Sequence, residues 1–298
     1  MARIIYLNGR FVPSYKAKLS PLDHGFLYGY GLFETMRAYE GHIFRLNQHL
    51  DRLGYSTQSI GLTHSTLTSE DGKQSLKNAC MATLEANELK NARLRLTVSV
   101  GEGDMTPDPS TCSNPTILIT AQNLVPLPPE KYVTGFKTAL STLRRNSQSP
   151  LSRLKSTCYT ENILARMAAK AIGCDEAILL NEQGYLAEGS TTNVFLVSNE
   201  ELTTPSLESG VLPGITRETV LEIARATNIK TLERQAKLEE LIEAEEAFVT
   251  NSILELMPLT LFEGKPIGTG KPGPLTKELL AAYKRLVNEA AKSGRGKS

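Results

Sequence analysis

Two side chains in one stretch of this sequence carry groups that can do chemistry on a small molecule. Lys155 lies directly before a helical pattern, and Glu188 lies in the small-residue segment AEGSTTN between two apolar runs. A lysine amine acts as a nucleophile when it is neutral. A carboxylate among apolar residues needs a cation or hydrogen-bond donors. Since most lysines are simply exposed, Lys155 gains meaning only from the residues that accompany it.

One predicted helix face carries basic side chains. The segment FRLNQHLDRLGYS has the periodicity of an amphipathic helix, in which Arg45, His49 and Arg52 recur at i, i+4 and i+7. On pattern alone, a solvated basic face explains these residues better than an anion site does.

Two other stretches place hydrogen-bond donors together. The turn Pro213-Gly214 leads into a helical pattern for which Thr216 is the predicted N-cap. The free amides at a helix N-terminus bind anions, although an ordinary capped helix is the simpler explanation. Thr250-Asn251-Ser252 places further donors at the end of an apolar strand.

Length and composition narrow the class of protein. The 298 residues suffice for one large or two medium domains. A net charge of +1 without a long basic run argues against nucleic acid or a membrane surface as a partner. The four cysteines and four histidines lack metal-ligand spacing, so we expect no metal and reduced thiols in a cytoplasmic protein.

The predicted elements divide the chain in two. Strands, hairpins and helices up to residue 122 predict a small N-terminal α/β domain. The proline-rich residues 123–132 predict an interdomain linker, and residues 133–298 a larger C-terminal domain. Hairpin turns are predicted at Asn8-Gly9 and Glu40-Gly41. A helix is predicted from Thr160 to Ile172, ended by Gly173.

An apparent GxGxxG motif near the C-terminus fails its structural context. Gly268, Gly270 and Gly273 give the spacing, but Pro272 interrupts it and the motif does not open a βαβ unit. We interpret this segment as a loop.

Taken together, Lys155 before a helix, Glu188 in AEGSTTN and the sequence Gly214-Ile215-Thr216-Arg217 are specific. The chain resembles the fold-type IV pyridoxal-phosphate enzymes, the class IV aminotransferases, over nearly its whole length. The resemblance implies an α+β, two-domain fold of the D-amino-acid aminotransferase type. A small α/β domain would accompany a larger, pseudo-barrel α/β domain that binds the cofactor.

The resemblance also implies how pyridoxal 5'-phosphate is held. Lys155 is similar to the lysine that forms a Schiff base with the cofactor aldehyde, which implies a desolvated amine with a lowered pKa. Glu188 resembles the carboxylate that pairs with the pyridine nitrogen, and Tyr159 the tyrosine that hydrogen-bonds the phenolic oxygen. The implied phosphate ligands are Arg52, Ile215, Thr216 and Ser252. Arg45 and His49 gain no role from it and stay interpreted as surface residues.

Within the family, the segment YGYGLFETMRAY is similar to the YGxxxFEGxR motif of branched-chain enzymes, with Thr35 where glycine is usual. Arg95 aligns with an arginine that these enzymes place near the substrate carboxylate. The asparagine and serine of TNSILEL are commoner among aminodeoxychorismate lyases. The implied substrate-binding residues are Tyr28, Phe33, Arg37, Arg95 and Ile253.

The resulting expectation is a homodimeric aminotransferase that moves an amino group between an amino acid, of branched-chain type, and a 2-oxo acid such as 2-oxoglutarate. Alternatives on the same fold are an aminodeoxychorismate lyase and a D-amino-acid or R-selective amine transaminase. A catalytically silent metabolite-binding protein is the alternative from another class.

Overall fold

The computed structural model describes residues 3–295, and the side chains of residues 3–293. Its helices are α1 (His24–Leu27), α2 (Leu46–Ser59), α3 (Ser65–Thr68), α4 (Glu70–Glu85), α5 (Pro129–Thr134), α6 (Thr160–Ala171), α7 (Ile215–Ala226), α8 (Leu238–Glu243) and α9 (Pro274–Arg295). Its strands are β1 (Ile4–Leu7), β2 (Arg10–Pro13), β3 (Gly31–Tyr39), β4 (His42–Ile43), β5 (Ala92–Ser99), β6 (Thr116–Asn123), β7 (Phe136–Arg145), β8 (Glu176–Asn181), β9 (Leu186–Gly189), β10 (Asn193–Ser198), β11 (Glu201–Pro205), β12 (Lys230–Arg234), β13 (Glu246–Asn251), β14 (Glu255–Phe262) and β15 (Lys265–Pro266).

The chain forms two compact units. Of the described residues, the first contains 3–125, the short segment Leu154–Cys158 and 287–295. The second contains Pro126–Arg153 and Tyr159–Leu286. Lys155 therefore belongs to the first unit, although the segments before Leu154 and after Cys158 belong to the second.

The first unit contains a six-stranded antiparallel sheet with the order β2-β1-β6-β5-β3-β4. Both predicted hairpin turns are confirmed. Asn8 and Gly9 join β1 to β2 with φ of 46° and 86°, and Glu40 and Gly41 join β3 to β4 with φ of 50° and 87°. Positive φ at both central residues suits the tight turns that follow the right-handed twist of the strands.

One face of this sheet is apolar and is covered by helices. Leu94 and Leu96 of β5 point to that face and are fully buried, since side chains alternate along a strand. They share a core with Leu50 of α2 and Leu76 of α4. The intervening residues of β3 and β5, which include Phe33, lie on the opposite face.

The second unit contains a sheet that closes on itself. The strands β10, β13, β14, β7, β8 and β9 form a ring because β9 pairs with β8 on one side and with β10 on the other. β7 is parallel to both of its neighbours, and β11 and β12 extend the sheet beyond β10. The expected α+β fold with a pseudo-barrel in its larger part is confirmed.

The apolar runs EAILL and NVFLV form β8 and β10, which are buried along nearly their whole length. Gly173, with φ of 78°, follows α6 as predicted, and the GxGxxG segment is a loop between β15 and α9. Within the predicted linker, Pro129 begins α5. Proline is tolerated in the first turn of a helix, so this run of prolines does not prevent a helix from starting. Among the described residues, no helix combines the length and the apolar character needed to cross a membrane.

Candidate active site

Lys155 lies beside β3 in the sheet of the first unit. Its backbone oxygen accepts a 2.8 Å hydrogen bond from the amide of Phe33, and the next residue, Ser156, forms a β-bridge with Leu32. Its Nζ lies 4.6 Å from the centroid of the Phe33 ring. Backbone pairing with β3 therefore fixes where the lysine stands, and the aromatic ring limits where its amine points.

A second cation faces the same ring. The Cζ of Arg95 lies 3.6 Å from the Phe33 centroid, and its Nε donates a 3.2 Å hydrogen bond to Thr97 Oγ1. Arg37 follows on the same face of β3, with its Cζ 4.4 Å from the Tyr39 centroid. Arginines held against aromatic rings are ordered, weakly hydrated donors, and such donors suit carboxylates.

Tyr28 lies at the end of α1, at the sequence-predicted substrate segment. Its hydroxyl donates to the backbone oxygen of Met105, and its ring meets the ring of His24 edge-on at 5.0 Å. His24 Nε2 in turn lies 2.7 Å from the backbone oxygen of Asp104. The tyrosine is therefore held against the loop that follows β5.

The face of β3 that meets α2 contains a buried charge cluster. Glu34, Arg52 and His49 are 1%, 9% and 2% exposed in their side chains. Arg52 donates from Nε to Glu34 Oε1 at 2.7 Å and from Nη2 to Oε2 at 2.5 Å, and His49 Nδ1 lies 2.7 Å from the same Oε2. The interpretation of His49 as a surface residue was wrong, because the i, i+3 spacing of His49 and Arg52 aims both at one carboxylate.

The cluster fixes the ionisation of its members. Burial alone raises the pKa of the Glu34 carboxyl, but the charge of Arg52 and the hydrogen bond from His49 outweigh burial and hold that pKa at about 2. Burial lowers the pKa of His49. We infer that an ionised carboxylate accepts a hydrogen bond from the Nδ1–H of a neutral imidazole.

Glu188 is also a buried carboxylate; it lies on β9 in the larger unit and is 5% exposed. Its Oε1 is 3.1 Å from Arg145 Nε, and its Oε2 accepts a 3.0 Å hydrogen bond from the amide of Leu212. Arg145 is oriented by the backbone oxygen of Ser152, to which its Nη2 donates at 2.9 Å. The expectation that Glu188 has a cationic and a hydrogen-bonding partner is confirmed.

The segment after Leu212 leads into α7. Gly214 occupies the N-cap position without a side-chain hydrogen bond to the first turn, so the prediction of Thr216 as N-cap was wrong. Thr216 is instead the second residue of the helix and is 4% exposed, and Ile215 precedes it. The N-terminus of a helix without a side-chain cap offers its amides to an anion.

The turn between β13 and β14 contains Ser252 and Ile253. Asn251 shapes it, since its Oδ1 accepts hydrogen bonds from the amides of Ile253 and Leu254 at 2.9 and 2.7 Å. The same side chain donates to the backbone oxygen of Thr191 at 3.2 Å. This turn is thereby joined to the loop that follows Glu188. Tyr159 begins α6 as its N-cap, and its backbone oxygen accepts from the amide of Ile163.

Comparison with known proteins gives the site its family. Residues 31–262 match the family model described as amino-transferase class IV. The chain belongs to the class IV aminotransferases. A putative branched-chain-amino-acid aminotransferase of Methanocaldococcus jannaschii is 37% identical over 95% of this chain and 96% of its own. The aminodeoxychorismate lyase of Bacillus subtilis is 36% identical over 95% of this chain and 94% of its own.

Solved structures agree with this family. The branched-chain amino acid aminotransferase of Thermobaculum terrenum, in its PLP form, has a TM-score of 0.85, with 26% sequence identity, and the match covers 97% of this chain and 95% of that one. The chain is a transaminase of a family whose cofactor is pyridoxal 5'-phosphate, a group that withdraws electrons from the substrate α-carbon when it is bound.

The described residues of this class IV aminotransferase include groups whose chemistry suits that cofactor. The first unit has the amine of Lys155, and the second has the buried carboxylate of Glu188 and the helix N-terminus in whose first turn Thr216 is buried. Among the described residues, Thr250 Oγ1 is buried without a hydrogen-bond partner at the strand end that precedes Ser252. No cluster of three or more His, Cys, Asp or Glu side chains is arranged for a metal ion in the described part of the chain.

The sequence did not reveal several residues that hold this site. Arg145 lies at the end of β7, so α6 and β8 separate it in sequence from Glu188 on β9. The amide of Leu212, which donates to Glu188, belongs to a later loop. No spacing in the sequence connects them, since only closure of the sheet brings them together. His49 did carry a signal, in its i, i+3 relation to Arg52 on the α2 face that meets β3.

Proposed function

We propose that this class IV aminotransferase transfers the amino group of a branched-chain amino acid to 2-oxoglutarate or another 2-oxo acid. The single observation that carries the substrate class is the face formed by Phe33 with Lys155 and Arg95. The arginine offers a carboxylate partner, and the aromatic ring offers an apolar wall for an aliphatic side chain. The similarity to the putative branched-chain-amino-acid aminotransferase of Methanocaldococcus jannaschii supports the same class.

We assign the proton-moving role to the amine of Lys155. The ring of Phe33 lies 4.6 Å from that amine and limits where it points, and a neutral amine can attack an aldehyde or accept a proton. A lowered pKa of Lys155 stays a prediction. Tyr159 is proposed to donate to the phenolic oxygen of the cofactor.

We assign Glu188 to the pyridine nitrogen. Arg145 and the Leu212 amide both favour the charged form of this carboxylate. A charged Glu188 keeps a proton on the nitrogen opposite it. For the phosphate we propose Arg52, Ile215, Thr216 and Ser252, because a guanidinium, helix N-terminal amides and hydroxyls are all donors that phosphate oxygens accept.

The substrate residues are proposed to be Tyr28, Phe33, Arg37, Arg95 and Ile253. Borohydride reduction of the holoenzyme followed by peptide mass mapping tests the central assignment. We expect a pyridoxyl group on Lys155. A pyridoxyl group on another lysine would contradict the proposed site.

A panel of amino donors tests the substrate class. Spectra of the bound cofactor are followed after addition of L-leucine, L-glutamate, D-alanine or an R-amine. We expect rapid conversion with L-leucine and L-glutamate. Conversion with D-alanine but not with L-leucine would replace the branched-chain assignment by that of a D-amino-acid or R-selective enzyme.

The second candidate is an aminodeoxychorismate lyase. Two observations favour it: the Bacillus subtilis lyase matches the chain over nearly its whole length, and the Asn251-Ser252 turn differs from the usual branched-chain sequence. Release of pyruvate from aminodeoxychorismate without any amino acceptor would establish this activity.

We further propose that the enzyme is a cytoplasmic homodimer. All four cysteines are free, as expected in a reducing compartment. One side of α6 carries apolar side chains that are about half exposed or more, namely Ile163, Leu164 and Met167. A contiguous apolar face of this kind is typical of a subunit interface. Light scattering of the holoenzyme, alone and as Met167→Asp, tests this assignment.

A further inference from the structure

Three polar side chains form a buried row across neighbouring strands of the larger unit. Asn193 of β10 is paired with Glu188 of β9 on one side and with Thr250 of β13 on the other. Residues directly opposite each other in antiparallel strands project to the same face of a sheet. Glu188, Asn193 and Thr250 are 5%, 6% and 1% exposed. Asn193 thus lies in the middle of this row.

The side chain of Asn193 reaches the loop that precedes α7. Its Nδ2 donates a 2.9 Å hydrogen bond to the backbone oxygen of Leu212. The amide of the same leucine donates to Glu188 Oε2 at 3.0 Å. Both backbone polar groups of Leu212 are therefore held by the row, one by Asn193 and one by Glu188.

The next contact carries this constraint to the helix. A Cβ on Gly214 would lie 1.9 Å from Asn193 Oδ1, so the N-cap of α7 approaches the asparagine as closely as only glycine allows. The amides proposed to bind phosphate belong to Ile215 and Thr216, directly after this N-cap. Asn193 accordingly touches both the loop that binds Glu188 and the turn that begins the phosphate-binding helix.

We propose that Asn193 is a positioning residue that fixes the distance between the Glu188 carboxylate and the N-terminus of α7. The inference rests on the proposed roles of these two groups for the pyridine nitrogen and the phosphate. A cofactor that contacts both at once gains affinity only when their separation matches its own length. Asn193 therefore affects the binding of a ligand that contacts Glu188 and the N-terminus of α7 at once. A ligand that contacts only one of the two groups does not depend on Asn193.

Asn193→Ala in apoenzyme, titrated with three probes, tests this coupling. Pyridoxal 5'-phosphate carries both ends, pyridoxal lacks the phosphate, and inorganic phosphate lacks the ring. Loss of one buried hydrogen bond of ordinary strength predicts an increase of about tenfold in the dissociation constant of pyridoxal 5'-phosphate. We expect the dissociation constants of pyridoxal and inorganic phosphate to change by less than about twofold.

Thr204→Val is the matched control. Thr204 is buried on β11, and its Oγ1 donates at 2.8 Å to the backbone oxygen of Val194, the residue after Asn193. This variant loses a comparable hydrogen bond in the same sheet without contact to Leu212 or Gly214. It should lower the melting temperature of the apoenzyme without changing the affinity for any of the three probes.

Gly214→Ala provides an independent route to the same contact, and it tests the proposal if Asn193→Ala does not fold. A methyl group at this position must push the turn away from Asn193. We expect the same selective loss of affinity for the full cofactor, and we expect the double variant to lose no more than either single variant.

Two results would overturn the inference. One is an unchanged affinity for pyridoxal 5'-phosphate in both variants. The other is a loss of affinity for pyridoxal and for inorganic phosphate that equals the loss of affinity for the full cofactor. This is the result expected if Asn193 has only a general structural role. Glu188→Gln separates this failure from failure of the proposed site: if that variant binds pyridoxal as well as the parent enzyme does, the assignment of Glu188 itself is wrong.

Discussion

Two buried glutamates, one in each unit of the molecule, lie against an arginine, and these two pairs are built differently. Glu34 in the smaller unit receives Arg52 on both oxygens and His49 on one of them. Glu188 in the larger unit receives Arg145 on one oxygen and the backbone amide of Leu212 on the other. The first carboxylate is bound by side chains of a single helix. The second is held by groups from a strand and a loop.

The two pairs differ in which member, the arginine or the carboxylate, is the functional group. The bidentate contact from Glu34 orients a guanidinium, so the useful group of that cluster is the arginine. At Glu188 the arginine and the amide secure the charge of the carboxylate, so the useful group is the carboxylate itself. We therefore expect substitutions of Glu34 to lower stability and, through Arg52, the affinity for the cofactor, and substitutions of Glu188 to affect mainly turnover.

Glu34→Ala should give the largest effect on stability. It leaves Arg52 and His49 buried without their common acceptor, and breaking a buried ion pair in this way costs about 3–5 kcal/mol of unfolding free energy. Urea denaturation of the apoenzyme measures this loss. Glu188→Ala is the matched change in the other unit, and an equal or larger loss there would remove the distinction between the two glutamates.

Glu188→Gln should instead lower kcat. The amide keeps the shape of the side chain but removes the negative charge proposed to hold a proton on the pyridine nitrogen. Removal of one preorganised electrostatic contact predicts a decrease of about 10²–10³-fold in kcat. Steady-state transamination with L-leucine measures it. Glu34→Gln serves as control, and a similar decrease there would show that both carboxylates act on the chemistry.

Acid should destabilise the smaller unit in two stages. The pKa of His49 is lowered by burial, so its contribution to stability is present above the ordinary histidine pKa and is lost as pH falls below it. The pKa of Glu34 falls from 4.5 to about 2, so its contribution is lost as pH decreases through that interval. Over this second interval the loss is about 3 kcal/mol.

Thermal denaturation of the apoenzyme between pH 7 and pH 2 measures both stages. In His49→Asn, the side-chain amide can still donate to Glu34 but does not titrate. We expect this variant to lose the first stage and retain the second. An unchanged first stage would assign it to a different group.

The contrast between the two clusters also explains what the sequence could predict. Helical spacing placed His49 and Arg52 on one face, so that part of the cluster was visible locally. The hairpins, α6 and the apolar strands were predicted for the same reason.

Arg145, Leu212 and Asn193 meet Glu188 only because β9 closes the ring between β8 and β10. Such contacts follow from register between distant strands, which composition and periodicity do not encode. His49 was misjudged because a basic helix face has the same pattern whether it meets solvent or a buried carboxylate.

Exchange of each arginine for lysine should give the smallest effect and should still separate the clusters. Arg52 binds Glu34 through Nε and Nη2 together, a fork that an ammonium group cannot reproduce, so Arg52→Lys should cost about 1–2 kcal/mol of unfolding free energy. Arg145 Nε lies 3.1 Å from Glu188 Oε1, and a lysine can supply one charged donor at this position, so Arg145→Lys should cost less. Urea denaturation of both apoenzyme variants compares them. A larger loss for Arg145→Lys would mean that orientation of the guanidinium matters more at Glu188 than at Glu34. In that case the arginine would be the functional group of the Glu188 pair and the carboxylate that of the Glu34 pair.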